Sequence, residues 1–449
     1  MSSKLATIPL VTPEPVADEN GRPRRLVSVP FMLLRGLSTA GVTIAAMIQI
    51  YVFARIMSAE QFSIFILVGA FGYSLWLVDF GIVKYLFVRL RAAHLAGNKE
   101  RDLVKQSTLI VIFYGCLTFI GALLCFIVLV SLESISVLHA TKYTLFFIFT
   151  ALNLVWFALR NISFAVDDYV YFECIEAARR FASIGLMLAM LAGFPLLAFL
   201  ITVNLLWAIV LGVSVVRLMR EGAFTTELSG ALGSLWSFYR DNRRDLVRSG
   251  TSATSDFYIE HLPYLVVPLT FGLGAPTVIL DTIFKFFRGA NLYYNAACEI
   301  VLPSQTRAFA ARDSATLIRS TLLALALCLA PTLAVAGLLL VVAEPFFKFL
   351  LGPAATMPAT AVWVIIALMF GNLALTVSNS LLIHTGFFQI SARLMLLTAI
   401  SATIVAAITL LGSPTIVSFM AAYTAVYICA ALLHTLFALR GPIRVARGA

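Results

Sequence analysis

Charge is scarce in this chain. Asp, Glu, Lys and Arg make up 12% of its 449 residues, against 61% hydrophobic residues and a mean hydropathy of +0.97. A water-soluble domain carries about 25% charged residues, so an ordinary globular fold is excluded. Cysteine is also sparse: Cys116, Cys125, Cys174, Cys298, Cys328 and Cys429 lie in or beside apolar runs, with no CxxC pair and no histidine at metal-ligand spacing. They read as small core residues, and no disulfide framework, metal site or cofactor is implied. The chain has no GxxxxGK[ST], hence no phosphate loop for ATP, and no HExxH of an intramembrane metalloprotease. The first thirty residues carry five prolines and mixed charges without the apolar core of a signal peptide, and read as a disordered tail.

What is present is a succession of apolar runs, each near the roughly 20 residues that cross about 30 Å of hydrocarbon. The expected spans are 31–55, 61–89, 104–132, 142–166, 171–192, 195–217, 249–272, 276–302, 318–342, 359–384, 389–411 and 414–439, about twelve in all. The fold class is therefore all-α, a polytopic membrane protein with two six-helix lobes. Its expected parts are a cytoplasmic tail (1–30), an N-terminal lobe (31–217), a basic cytoplasmic linker (218–248), a C-terminal lobe (249–439) and a second tail (440–449).

Lys and Arg fall in alternate connections. With the N-terminus inside, about 24 lie on the inner side, Arg179 and Arg180 counted among them, and only Arg55, Lys142 and Lys348 on the outer. This phase predicts an even number of spans with both termini cytoplasmic. The net charge of +10 is then a topology signal, and no nucleic-acid partner is expected. The outer loops are all short, which argues against a membrane polymerase. RGLSTAG (35–41) and RSGTSAT (248–254) open the two halves alike, as expected of a duplicated transporter.

Charges inside spans cost several kcal/mol and mark wet paths or bound polar ligands. In span eight, Asp281, Lys285, Arg288, Asn295 and Glu299 share one helical face; in span seven, Ser249, Ser252, Asp256 and Glu260 do the same. Heights reckoned at about 1.5 Å per residue pair Glu260 with Lys285 and Asp256 with Arg288. Two readings stand for these groups: an ion-pair ladder joining two helices, or pairs that open around an anionic ligand. Glu260, Asp256, Asp281 and His261 are the candidates for coupling to an ion. Arg35 and Arg160 are weaker cationic candidates in the first half. Asp167 and Asp168, adjacent at a helix end, read as solvated interface charges. Polar residues on spans ten and twelve, among them Asn372, Thr376, Tyr423 and His434, read as interhelical glue.

The stretch ARIMSAEQFSIFILVGAFGYSLWLVDFGIVKYLFVR (54–89) has an arginine, a turn with an acidic and an aromatic residue, and a span ending in Asp79-Phe80-Gly81 before a basic cluster. It resembles the second helix of Wzx-type polysaccharide exporters of the multidrug/oligosaccharidyl-lipid/polysaccharide (MOP) superfamily. The resemblance implies an inner-membrane flippase for undecaprenyl-pyrophosphate-linked oligosaccharide, with O-antigen or exopolysaccharide polymerase and chain-length proteins as partners. It implies alternating access around a cationic cavity, which falls here on Lys285, Arg288, Arg35 and Arg160, and a structural role for Asp79 and Gly81. The competing reading is a cation-coupled multidrug antiporter of the same superfamily; its cavity would be acidic or aromatic.

Overall fold

The computed structural model describes residues 29–95, 101–132, 135–412 and 415–446. The N-terminal tail up to residue 28 lies outside the described residues. All regular structure among those described is helical. The first half contains α1 (Val29–Ile56), α2 (Ala59–Ser74), α3 (Ile82–Leu95), α4 (Arg101–Ser131), α5 (Val137–Ala165), α6 (Tyr169–Leu191) and α7 (Leu196–Arg220). The second contains α8 (Ala231–Phe271), α9 (Ala275–Ala310), α10 (Ser314–Leu351), α11 (Ala359–His384), α12 (Phe388–Leu411) and α13 (Ile416–Ala438). Among the described residues, nine stretches are long and apolar enough to cross a membrane. The remaining long helices, α6, α8 and α9, are more polar and carry the charged clusters described below. Together these make a multi-pass, all-α membrane protein, with helices at each of the twelve expected spans.

Local chemistry explains where the sequence expectation and the helices part. Span two is two helices: after a 3₁₀ turn at Leu75–Val78 the chain breaks at Phe80 (φ 43°) and Gly81 (φ 77°). The Asp79 carboxylate accepts hydrogen bonds from the backbone N–H of Gly81 (3.1 Å) and Val83 (3.0 Å), so it caps α3. Tyr114 of α4 donates a third, at 2.7 Å. The basic linker 218–248 is largely helical: only 221–230 separate α7 from α8, because Phe238 and Leu246 bury one flank of the continuing helix. Helix α10 outruns its expected span, and kinks at Val342 (φ −122°), three residues before Pro345.

The arginine and the turn of the 54–89 stretch also have a structural account. Ser58 caps α2 by accepting from the Gln61 N–H at 3.2 Å, while Gln61 accepts from the Ser58 N–H, a reciprocal capping box. Phe62 is buried edge-on against Phe53 at 5.8 Å. Arg55 reaches across the molecule and donates to the Phe349 carbonyl at 2.6 Å.

Packing partners in the first half recur in the second. Helix α1 packs on α6 as α8 packs on α12; α2 and α3 pack on α5 as α9 packs on α11; α4 meets α5, and α5 meets α7, as α10 meets α11 and α11 meets α13. Between the halves, α1 and α2 meet α9, and α2, α3 and α4 meet α8. At the end away from the arginine-rich loops, one aromatic cluster takes Phe53, Phe65 and Phe146 from the first half and Phe284, Phe287, Phe347 and Tyr423 from the second. Rings pack on one another within each half there, as Phe65 on Phe146 and Phe286 on Phe347, and Tyr51 meets Phe349 across the halves at 4.7 Å.

Candidate functional site

The charges of α8 and α9 meet next to this aromatic cluster. Lys285 pairs with Asp281, one turn away on the same helix, at 2.7 Å, and Tyr264 of α8 donates to Asp281 at 3.0 Å. Glu260 faces Arg288, with Oε2 4.0 Å from Nε. The expected Glu260–Lys285 and Asp256–Arg288 pairs are therefore corrected: Glu260 takes Arg288, one helical turn further along α9, and Lys285 is satisfied within its own helix. Asn291 donates to Glu260 (3.2 Å) and accepts from Asn295 (3.2 Å) and Thr376 (3.4 Å), which ties α11 into the network.

Arg288 is held differently from the other cations. Its guanidinium lies 5.0 Å over the Tyr264 ring, and 4.0 Å to Glu260 is too long for a hydrogen bond. Nε and one terminal nitrogen are buried and donate to no partner among the described residues, while the side chain as a whole keeps 27% of its surface accessible. Asp256, Asn295 and Glu299 are exposed and Asp281 is buried. The polar stripe is thus closed at the aromatic end and accessible toward the arginine-rich end. His261 stacks on Phe257 (centroids 3.7 Å apart) and its Nδ1 lies 3.0 Å from the Phe257 carbonyl. Two shallow crevices, neither with room for a water molecule, lie elsewhere, lined by Val83 and Leu90 and by Ile279 and Met420.

A second cluster occupies the first half. Arg160 of α5 pairs with Glu173 of α6. Glu176 holds both Arg179 (2.8 Å) and Arg180, and the Arg179 guanidinium lies 3.8 Å over Trp207. Glu173, Glu176 and Arg179 are each at most 6% exposed. Arg179 and Arg180 are therefore not loop residues; counting basic residues by side misses that one acid, Glu176, precedes them by three and four positions on the same helix. Among the described residues, three arginines against two glutamates leave this cluster one positive charge in excess. Arg180 also reaches the Ser38 carbonyl of α1 at 3.5 Å. The side chain of Arg35 lies outside the described residues.

Other polar groups serve packing. Asp167 pairs with Arg91 (2.7 Å) and Asp168 with Arg217 (2.9 Å), so these acids are ion-paired across helices rather than merely solvated. Tyr423 donates to the Ile259 carbonyl, and Ser378 meets Thr435 at 2.8 Å, as interhelical glue requires.

No family model matches the chain, and no curated protein matches it. Solved structures do. A eukaryotic MATE transporter, AtDTX14, is 13% identical over 93% of this chain and 96% of that one, with a TM-score of 0.62. An inward-facing multidrug resistance MATE family transporter of the MOP superfamily is 12% identical over 94% and 96%, with a TM-score of 0.57. A MOP superfamily transporter from Pyrococcus furiosus, described as having reverse polarity of its binding pocket, is 13% identical over 94% and 99%, with a TM-score of 0.56. At such identities the likeness is one of fold, and it extends over nearly the whole chain.

Proposed function

We propose that the protein is an alternating-access transporter whose cargo is an anionic amphiphile, a polyprenyl-pyrophosphate-linked oligosaccharide moved across a bacterial cytoplasmic membrane with both chain termini inside. The fold likeness to MATE transporters supports the transport mode, and two six-helix lobes that rock about the α1, α2, α8 and α9 contacts would supply it. The observation that carries the cargo class is Arg288. It is a cation within the bilayer span with unused donors, on a stripe accessible from one side, and a pyrophosphate would offset its own desolvation there through charge-assisted hydrogen bonds.

The Glu260–Arg288 pair suggests how coupling works. An anion that engages the guanidinium draws it away from Glu260, which then binds a proton or Na⁺; release of the anion restores the pair. Lys285, locked to Asp281, acts as a fixed positive neighbour. In a strain lacking its own flippase, the wild-type chain restores surface glycan and Arg288→Ala abolishes that rescue at equal expression. Rescue by Arg288→Ala at the wild-type rate refutes the assignment.

A second reading, a cation-coupled multidrug antiporter, is favoured by the accessible Asp256 beside Glu260. It requires that the protein lower cellular accumulation of a cationic dye, and that Glu260→Gln remove this effect.

A further inference from the structure

We infer that the first turns of α8 form a docking surface for anionic phospholipid headgroups at the arginine-rich face of the protein. At 100° per residue, Leu232, Trp236, Tyr239, Arg240, Arg243 and Val247 fall within about 100° of arc. All six are exposed, Leu232 at 74% and Trp236 at 67%, and the Trp236 and Tyr239 rings stack at 5.8 Å. The other flank is occupied: Phe238 and Leu246 are buried, and Arg89 of α3 lies over the Phe238 ring.

The height of this stripe is fixed by the connection before it. Lys105 donates to Glu227 and to the Ser229 carbonyl, both at 3.3 Å, and Thr108 accepts from the Thr225 N–H at 3.1 Å. These bonds seat the start of α8 beside the first two turns of α4, where the apolar run of that span begins, so the stripe lies at the boundary between hydrocarbon and water. Trp and Tyr concentrate at that boundary, and guanidinium groups there bind lipid phosphate. Among the described residues, the nearby acids leave positive charge on the stripe. Glu227 is engaged by Lys105 and Glu221 by Arg217; Asp241 pairs with Arg240 at 3.5 Å, but both side chains are exposed and water screens that pair, and Arg243 has no acidic partner among the described residues. An apolar and aromatic face of this size exposed to water is unfavourable, and the lipid surface into which the same helix continues covers it.

The test uses the full chain in nanodiscs, with Trp236 fluorescence taken as the difference between wild type and Trp236→Phe. Brominated phosphatidylglycerol, diluted into phosphatidylcholine discs, is expected to quench this component at about tenfold lower mole fraction than brominated phosphatidylcholine. Arg240→Gln with Arg243→Gln is expected to equalise the two lipids while some quenching remains, and raised salt on the unaltered chain does the same if the variant fails to fold. Equal quenching of the wild type by both lipids overturns the charge selection. Absence of quenching by either places the face in water or against a protein, and overturns the inference whole.

Discussion

Phe80 and Gly250 are fitted to one another across the two halves. A β-carbon built on Gly250 would lie 2.3, 2.4 and 2.7 Å from three carbons of the Phe80 ring, and Phe80 itself holds a left-handed backbone that bulky residues avoid. Gly250→Ala should therefore lower thermal stability by about 1–3 kcal/mol through overpacking. Adding Phe80→Ala should recover most of that loss in the double variant, as read from unfolding curves in detergent. Additive losses would mean that the two residues do not meet.

Asp79 anchors the break that presents Phe80. Tyr114→Phe should cost about 1.5–3 kcal/mol, the range for a hydrogen bond to a charged group. In an Asp79→Ala background the same change should cost under about 0.5 kcal/mol, because its partner is gone. Thermal unfolding of the four proteins closes this cycle.

The positions of the spans were legible because each is a run of apolar side chains of bilayer length. The break within the second was written only in Asp79 and Gly81, a capping acid and a residue tolerant of positive φ, inside a run whose hydropathy hardly falters. The partners of the charged residues were less legible. Helical spacing places Glu260 and Arg288 each on a polar face, but heights reckoned from span ends do not resolve one turn and set Lys285 opposite Glu260. Arg179 and Arg180 were hidden by their own chemistry: an arginine neutralised within a helix counts the same, by composition, as one in a loop. The cargo is not legible from the fold, since transporters of different cargo share it.

Arg55 joins the ends of α1 and α10. Besides Phe349 it donates to the Tyr51 carbonyl at 2.8 Å, and its guanidinium lies 3.5 Å over the Tyr51 ring. Arg55→Ala should raise amide exchange in residues 349–354 by about five- to thirtyfold, the equivalent of about 1–2 kcal/mol, with the far end of α10 unchanged. Arg55→Lys should recover only part, since an ammonium does not match a guanidinium that bonds two carbonyls and stacks on a ring. Unaltered exchange in Arg55→Ala would remove the residue as a tie between the halves.

Glu176 and Glu221 offer an internal comparison. Glu176 is buried and pairs with two arginines, whereas Glu221 meets Arg217 at 3.2 Å in an exposed pair. Glu176→Gln should cost about 3–5 kcal/mol, as expected for a broken buried pair, and Glu221→Gln under about 1 kcal/mol. Comparable melting shifts would show that the α6 cluster is solvated.

The central claim, that Arg288 is the contact for an anionic lipid carrier, is tested most directly by equilibrium binding of a polyprenyl pyrophosphate to the purified protein. The wild type and a Lys348→Ala control should bind alike, and Arg288→Ala, checked for unaltered melting, should bind at least about tenfold more weakly, the loss of a charge-assisted contact. Equal affinity in all three, or binding of a cationic dye with none of the pyrophosphate lipid, would contradict it.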